Sequence, residues 1–94
     1  MIIVSGIIML SPGQRGAFLA LTHEVISVAR EARGCRSFVV VADPIEPNVV
    51  VVYEEWDTES DLLRFRGEGP SPDIKSMIIK ADVQLHHVAS SKPA

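Results

Sequence analysis

The chain has 94 residues, 47% of them hydrophobic and 22% charged, with a formal net charge of −3. That length suits one domain spanning residues 1–94, and the apolar content excludes a disordered chain. The slight acidity excludes the electrostatic footprint of a nucleic-acid binder, the single Cys35 excludes an internal disulfide or cysteine-rich metal site, and no apolar run approaches the ~18 residues of a membrane span.

Ile2 to Leu10 is rich in β-branched residues and too short for a buried helix, so it reads as a strand. It has no basic leader and no small-residue cleavage site after it, which argues against a signal peptide; with a lone free thiol, the expected compartment is the cytoplasm. Ser11-Pro12-Gly13 predicts a helix start, with Ser11 as the cap and Pro12 at the first helical position. That helix is expected to run to about Arg33 and to end at Gly34, with Phe18, Leu21, Val25, Val28, Ala29 and Ala32 as its apolar stripe. Cys35 to Ala42 and Val49 to Trp56 are two valine-dense strands. Between them, two prolines with Asp43 and Asn48 predict a turn, which makes the pair a hairpin.

Thr58-Glu59-Ser60-Asp61 resembles a capping box and predicts a short helix carrying Leu62, Leu63 and Phe65. Gly67-Glu68-Gly69-Pro70 interrupts it, and Ser71-Pro72-Asp73 restarts a helix with Ile74, Met77 and Ile78 on its apolar side. Asp82 to Val88 is the last predicted strand, and residues 89–94 are expected to fray. The order is βαββαβ, a ferredoxin-like α+β arrangement with an antiparallel sheet. In such a fold the helices cover one face only. Yet the second and third strands place valines on both faces, and the first strand is apolar on both. A second copy packed on the uncovered face about a two-fold axis accounts for this, so a homodimer is expected. A chain this small buries only about 60–65% of its unfolded surface, which points the same way.

Gly34-Cys35-Arg36-Ser37-Phe38, then Asp43-Pro44 and Pro47-Asn48, then Tyr53-Glu54-Glu55-Trp56-Asp57-Thr58-Glu59 with Leu62, resembles the antibiotic biosynthesis monooxygenase family over nearly the whole chain, Ile2 to about Val88. The resemblance implies a dimeric α+β barrel. It also implies either cofactor-free oxidation of quinols and aromatic polyketides or, in other members, haem degradation. The departures are specific. Many members have a histidine where Phe65 stands, and polyketide-oxidising members have asparagine and tyrosine where Val52 and Leu62 stand. Their later helical arginine has at best Lys75 as a counterpart. Haem-degrading members need an asparagine near Gly6 and a tryptophan near Phe65, and lacking both disfavours haem.

Glu54 and Trp56 share a strand face. The resemblance places the tryptophan in the cavity between sheet and helices, with Val52, Leu62 and Phe65 as further substrate-contacting positions. Glu54 beside that aromatic wall would be desolvated and could take a phenolic proton. The competing reading is that Trp56 fills core and Glu54 ends a strand in solvent. His86 and His87 are adjacent, so they point to opposite faces; the pair cannot chelate one metal, though either imidazole could act as acid or base. His23 reads as a surface residue, Asn48 as a turn residue and Cys35 as an inert thiol. Tyr53 belongs to the dimer face, and Arg64, Arg66 and Lys75 form a solvated cationic surface able to attract an anionic substrate.

Gly67-Glu68-Gly69 lacks the strand–glycine–helix setting of a dinucleotide site, so no nucleotide or metal cofactor is expected. The leading expectation is a cofactor-independent monooxygenase acting on a small electron-rich aromatic. The alternatives are a non-catalytic barrel that binds a small apolar metabolite and a dimerisation module with no pocket.

Overall fold

The computed structural model describes residues 1–94. Its elements are β1 (Ile2–Leu10), α1 (Arg15–Glu31), β2 (Cys35–Ala42), β3 (Val49–Trp56), α2 (Glu59–Arg66), α3 (Pro72–Ser76) and β4 (Ile78–His87). The four strands form one antiparallel sheet in the order β2-β3-β1-β4. With extents of 39 × 30 × 19 Å, the molecule is one sheet thick plus one layer of helices. This is the expected ferredoxin-like α+β arrangement, with the second helix in two pieces.

The first three strands and the Thr58 and Ser71 starts lie where the sequence places them. Thr58 Oγ1 accepts from Asp61 N at 3.1 Å, and Ser71 Oγ accepts from Ile74 N at 3.4 Å. Asp61 completes its cap by accepting from the Thr58 hydroxyl at 2.9 Å and from Arg64 Nη1 at 2.9 Å, bonds that hold its carboxyl below the usual range.

Three expectations are corrected. Helix α1 begins after Gln14, whose side chain makes no cap bond. Gly13 sits at φ +78°, incompatible with a helix, while Ser11 N donates to Met77 O at 2.9 Å and is drawn toward the end of α3. The stripe of α1 is also rotated: Phe18, Thr22 and Ala29 are buried with Leu19, Val25 and Ile26 beside them, whereas Leu21 and Val28 are 42% and 56% exposed. Finally, β4 starts at Ile78, not Asp82, and Ile78 is a strand residue. The long β1 continues its ladder to Leu10↔Ile78 through a bulge after Met9↔Lys80, which satisfies backbone groups that a longer α3 would leave unpaired.

Glycine is required where β1 passes the Asp82–Val83 backbone of β4. A Cβ on Gly6 (φ +155°) would lie 2.0 Å from the Asp82 carbonyl oxygen. Beside the β2–β3 connection, Arg15 Nη1 donates to Asp43 O, Glu46 O and Val49 O at 3.1, 2.9 and 3.2 Å. It ties α1 to the β2–β3 turn, which Asp43 closes by accepting from Ile45 N and Glu46 N at 3.0 and 2.8 Å.

Register assigns the two faces. Ile2, Val4, Val50, Val52, Glu54, Trp56 and Phe38 lie under the helices and are buried. The open face carries Ile7, Met9 and Val41 at 39%, 41% and 49% exposed, flanked by Val39, Val51 and Tyr53. Strand β4 departs from this pattern, with Lys80, Asp82, Gln84 and His86 on that side. The apolar part of the open face is therefore a patch on β1, β2 and β3.

Candidate active site

The last turn of β3 is where chemistry and burial coincide. Glu54 and Trp56 project under the helices because alternate strand residues share a face. Helix α2 closes over them, with Leu62 and Phe65 at three-residue spacing turned inward and Leu63, Arg64 and Arg66 outward. Trp56 and Leu62 have no exposed surface, and Glu54 retains 6%. Trp56 Nε1 donates to Glu54 Oε1 at 2.9 Å within this enclosure.

Phe65 stacks at a tilt on Trp56, centroids 5.3 Å apart. Phe38 meets Trp56 and Phe65 edge-on at 6.4 and 5.6 Å. Such contacts hold rings in one arrangement as well as burying them. The carboxyl of Glu54 is thus bonded to one ring of this cluster, Trp56, and its residue is the cross-strand partner of a second, Phe38. Its pKa is raised from the ordinary 4.5 chiefly by burial, against the smaller opposing effects of the Trp56 bond and the Arg66 charge. Cys35 lies within electrostatic reach; its thiol is also raised, first by burial and then by the Glu54 charge.

The other sequence-predicted residues scatter around this centre. Val52 is buried on the same face, paired with Gly6 and Val40 a full strand step away from Glu54. His86 is exposed on the open face opposite Ile3. His87 shares the helix side with Trp56, but Ile2 of β1 stands between them. Two strand spacings, about 10 Å, separate their backbones, and His87 Nε2 lies 3.6 Å from Glu59 Oε1 with its side chain 75% exposed. The structure brings together Glu54, Trp56, Leu62 and Phe65, and leaves both histidines outside. Tyr53 points away from Trp56 and donates its hydroxyl proton to Glu55 on the open face. No three His, Cys, Asp or Glu side chains converge as a metal site would require, and no helix is long and apolar enough to cross a membrane.

Sequence reading singled out neither Phe38 nor Arg30 for this neighbourhood. Phe38 is the third ring of the cluster, and Arg30 Nε donates to the Phe38 carbonyl at 3.0 Å. The one signal in the sequence was Phe38 falling on the buried parity of β2, which register with Glu54 makes explicit. A cleft of about 360 Å³ opens beside these residues at the free edge of β2. Cys35 and Phe38, which line it, also pack against the cluster containing Trp56.

A protein from Deinococcus radiodurans assigned to the antibiotic biosynthesis monooxygenases superposes with a TM-score of 0.83 at 16% identity, covering 100% of this chain and 98% of its own. A Mycobacterium tuberculosis protein gives 0.78 at 21% identity, covering 98% of each chain. A conserved protein from Methanosarcina mazei gives 0.79 at 19% identity, covering 90% and 89%. At these identities the likeness establishes the fold. No curated protein matches the chain at a significant level. The family model for antibiotic biosynthesis monooxygenase matches residues 1–74, which takes in β1 to α2, the first residues of α3 and the whole Glu54–Trp56 enclosure, and stops short of both strand-β4 histidines. The chain belongs to the antibiotic biosynthesis monooxygenase family.

Proposed function

We propose that this protein is a cofactor-independent monooxygenase that oxidises a small electron-rich aromatic with O₂, working as a homodimer. The observation that carries the reading is the buried Glu54 carboxyl, raised in pKa by desolvation and oriented by the Trp56 indole beside Phe38 and Phe65. A carboxylate that has lost its water is a stronger base than one in solution, and its single strong hydrogen bond fixes which oxygen remains to accept a proton.

The chemistry asks little else of the protein. Glu54 takes the phenolic proton, and the phenolate gives one electron to O₂, leaving a phenoxyl radical and superoxide. These recombine at a ring carbon bearing hydrogen, forming a C–O bond. Loss of that carbon's proton and cleavage of the O–O bond then leave a carbonyl and release water, with Glu54 returning its proton. In sum a phenol and O₂ become a quinone and water, and the aromatic substrate is the only reductant. The aromatic enclosure supplies orientation and excludes solvent.

The homodimer reading is supported by the patch of Ile7, Met9, Val39, Val41, Val51 and Tyr53 on the open face. Apolar side chains grouped on an uncovered sheet face are what an association site offers. A second reading, a barrel that binds a small aromatic without transforming it, is favoured by Val52 and Leu62, apolar and buried where polyketide-oxidising relatives are polar.

Oxygen uptake with a panel of quinols under air separates the two. Turnover is expected for the parent, with Glu54→Gln lowering kcat by at least about a hundredfold, the ordinary contribution of a positioned base, and with a smaller effect on affinity. Loss of turnover in a His86 or His87 variant with Glu54→Gln unaffected would move the base to a histidine. Binding with uptake equal to the protein-free rate would establish the barrel reading.

A further inference from the structure

The cleft at the edge of β2 is lined by Arg30, Cys35, Arg36, Ser37 and Phe38. Two of the chain's six arginines, Arg30 and Arg36, therefore meet one cleft in a chain of net charge −3. The bond from Arg30 to Phe38 O uses Nε alone, which leaves both terminal nitrogens of a five-donor fork without a protein partner. Arg36 is only partly engaged: Nε pairs with Asp57 and Nη1 touches Met1 Sδ at 3.3 Å. Ser37 and Phe38 complete the lining, and the Phe38 ring meets Trp56 and Phe65 on its inner side. About 360 Å³ is at the small end of ligand pockets and suits a single substituted ring.

We propose that this cleft binds the carboxylate of a ring-hydroxylated aromatic acid, with Arg30 and Arg36 holding the anion and Phe38 the ring. Paired guanidinium donors match a carboxylate in both charge and geometry. The ring held against Phe38 then lies next to the enclosure of Glu54. This narrows the substrate class of the proposed monooxygenase from electron-rich aromatics in general to acidic phenols. Binding of the acid stands without the monooxygenase reading; its oxidation rests on that reading.

Trp56 is the only tryptophan, so its fluorescence reports on occupancy of the adjoining cleft. Titration with 2,5-dihydroxybenzoate and with hydroquinone, which differ by the carboxylate, is expected to show the acid binding at least about tenfold more tightly. The preference should fall as salt is raised. Arg36→Gln, at an exposed site where folding is not at issue, should bring the two affinities to within about twofold. Arg30→Gln should do the same, with circular dichroism checking that losing the Phe38 bond has not unfolded the edge. Lys80→Gln, on the opposite edge strand, should keep the full preference. Equal affinities in the parent, no binding of either compound, or an Arg36→Gln variant that still prefers the acid would overturn the inference. Oxygen uptake on the same samples reads the other proposal separately: acid preference without uptake leaves the cleft standing and removes the monooxygenase, and uptake without acid preference does the reverse.

Discussion

Trp56 Nε1 donates to Glu54 Oε1 at 2.9 Å with the carboxyl 6% exposed and the indole fully enclosed. A carboxylate so placed works against the fold. Burial raises its pKa above the ordinary 4.5, so the folded chain binds this proton more tightly than the unfolded chain does. Stability from this group is fully present below pH 4.5 and is lost as pH rises through the raised folded value.

Glu54→Gln preserves the shape and can keep the Trp56 bond while removing the charge. Its Tm is expected to exceed that of the parent at pH 7 and to converge with it near pH 4, as thermal denaturation across that range would show. A variant that is less stable than the parent at pH 7 would mean that the charged form is the better fit. Gain in stability with loss of turnover is the pattern expected where a buried group is kept for chemistry.

Gly6→Ala drives a methyl group to 2.0 Å from the Asp82 carbonyl in the β1–β4 ladder. β1 is held by pairs on both sides, and β4, the edge strand, can withdraw only by breaking its pairs with β1, so a loss of about 2–4 kcal/mol is expected. Gly16→Ala is the matched control: it lies in α1 with nothing within 4 Å of the new Cβ and should stabilise by about 0.5–1 kcal/mol. Urea denaturation of both variants tests the contrast, and equal midpoints would refute the close approach.

Arg15→Ala removes one guanidinium nitrogen from three carbonyls of the β2–β3 connection. About 1–2 kcal/mol should be lost, with amide exchange accelerating at Glu46 and Val49 before it does in the centre of β3. A uniform acceleration across the sheet would instead show that the turn is not a separate unit.

Val51→Asp places a charge in the centre of the open-face patch. If two copies meet there, an unpaired buried charge would cost several kcal/mol, and sedimentation equilibrium at micromolar concentration should show a parent of twice the chain mass and a variant at the chain mass. A monomeric parent would remove the homodimer. A charged substitution on the exposed side of α1, Val28→Lys, should leave the parent's mass unchanged.

Local chemistry determined much of this molecule. Alternating and β-branched runs set the bounds of β1, β2 and β3, and hydroxyl caps set the starts of α2 and α3, because each depends on residues within a few positions of one another. Period-two geometry likewise put Glu54 and Trp56 on one face. What only the tertiary structure decided depends on distant partners. Ser11 was drawn to Met77 and so could not cap α1, and β4 took up Ile78 because Leu10, 68 positions earlier in the chain, still needed a strand partner. Leu21 and Val28 were left out of the core because the sheet meets α1 along a line through Phe18, Thr22 and Ala29. The same holds at the site. Glu54 reads in sequence as either a solvated strand end or a buried acid, and the choice was made by Phe65 and Leu62 folding over it from α2 and by Phe38 arriving from β2. Desolvation is a sum over everything that surrounds a group, so no stretch of neighbouring residues carries it.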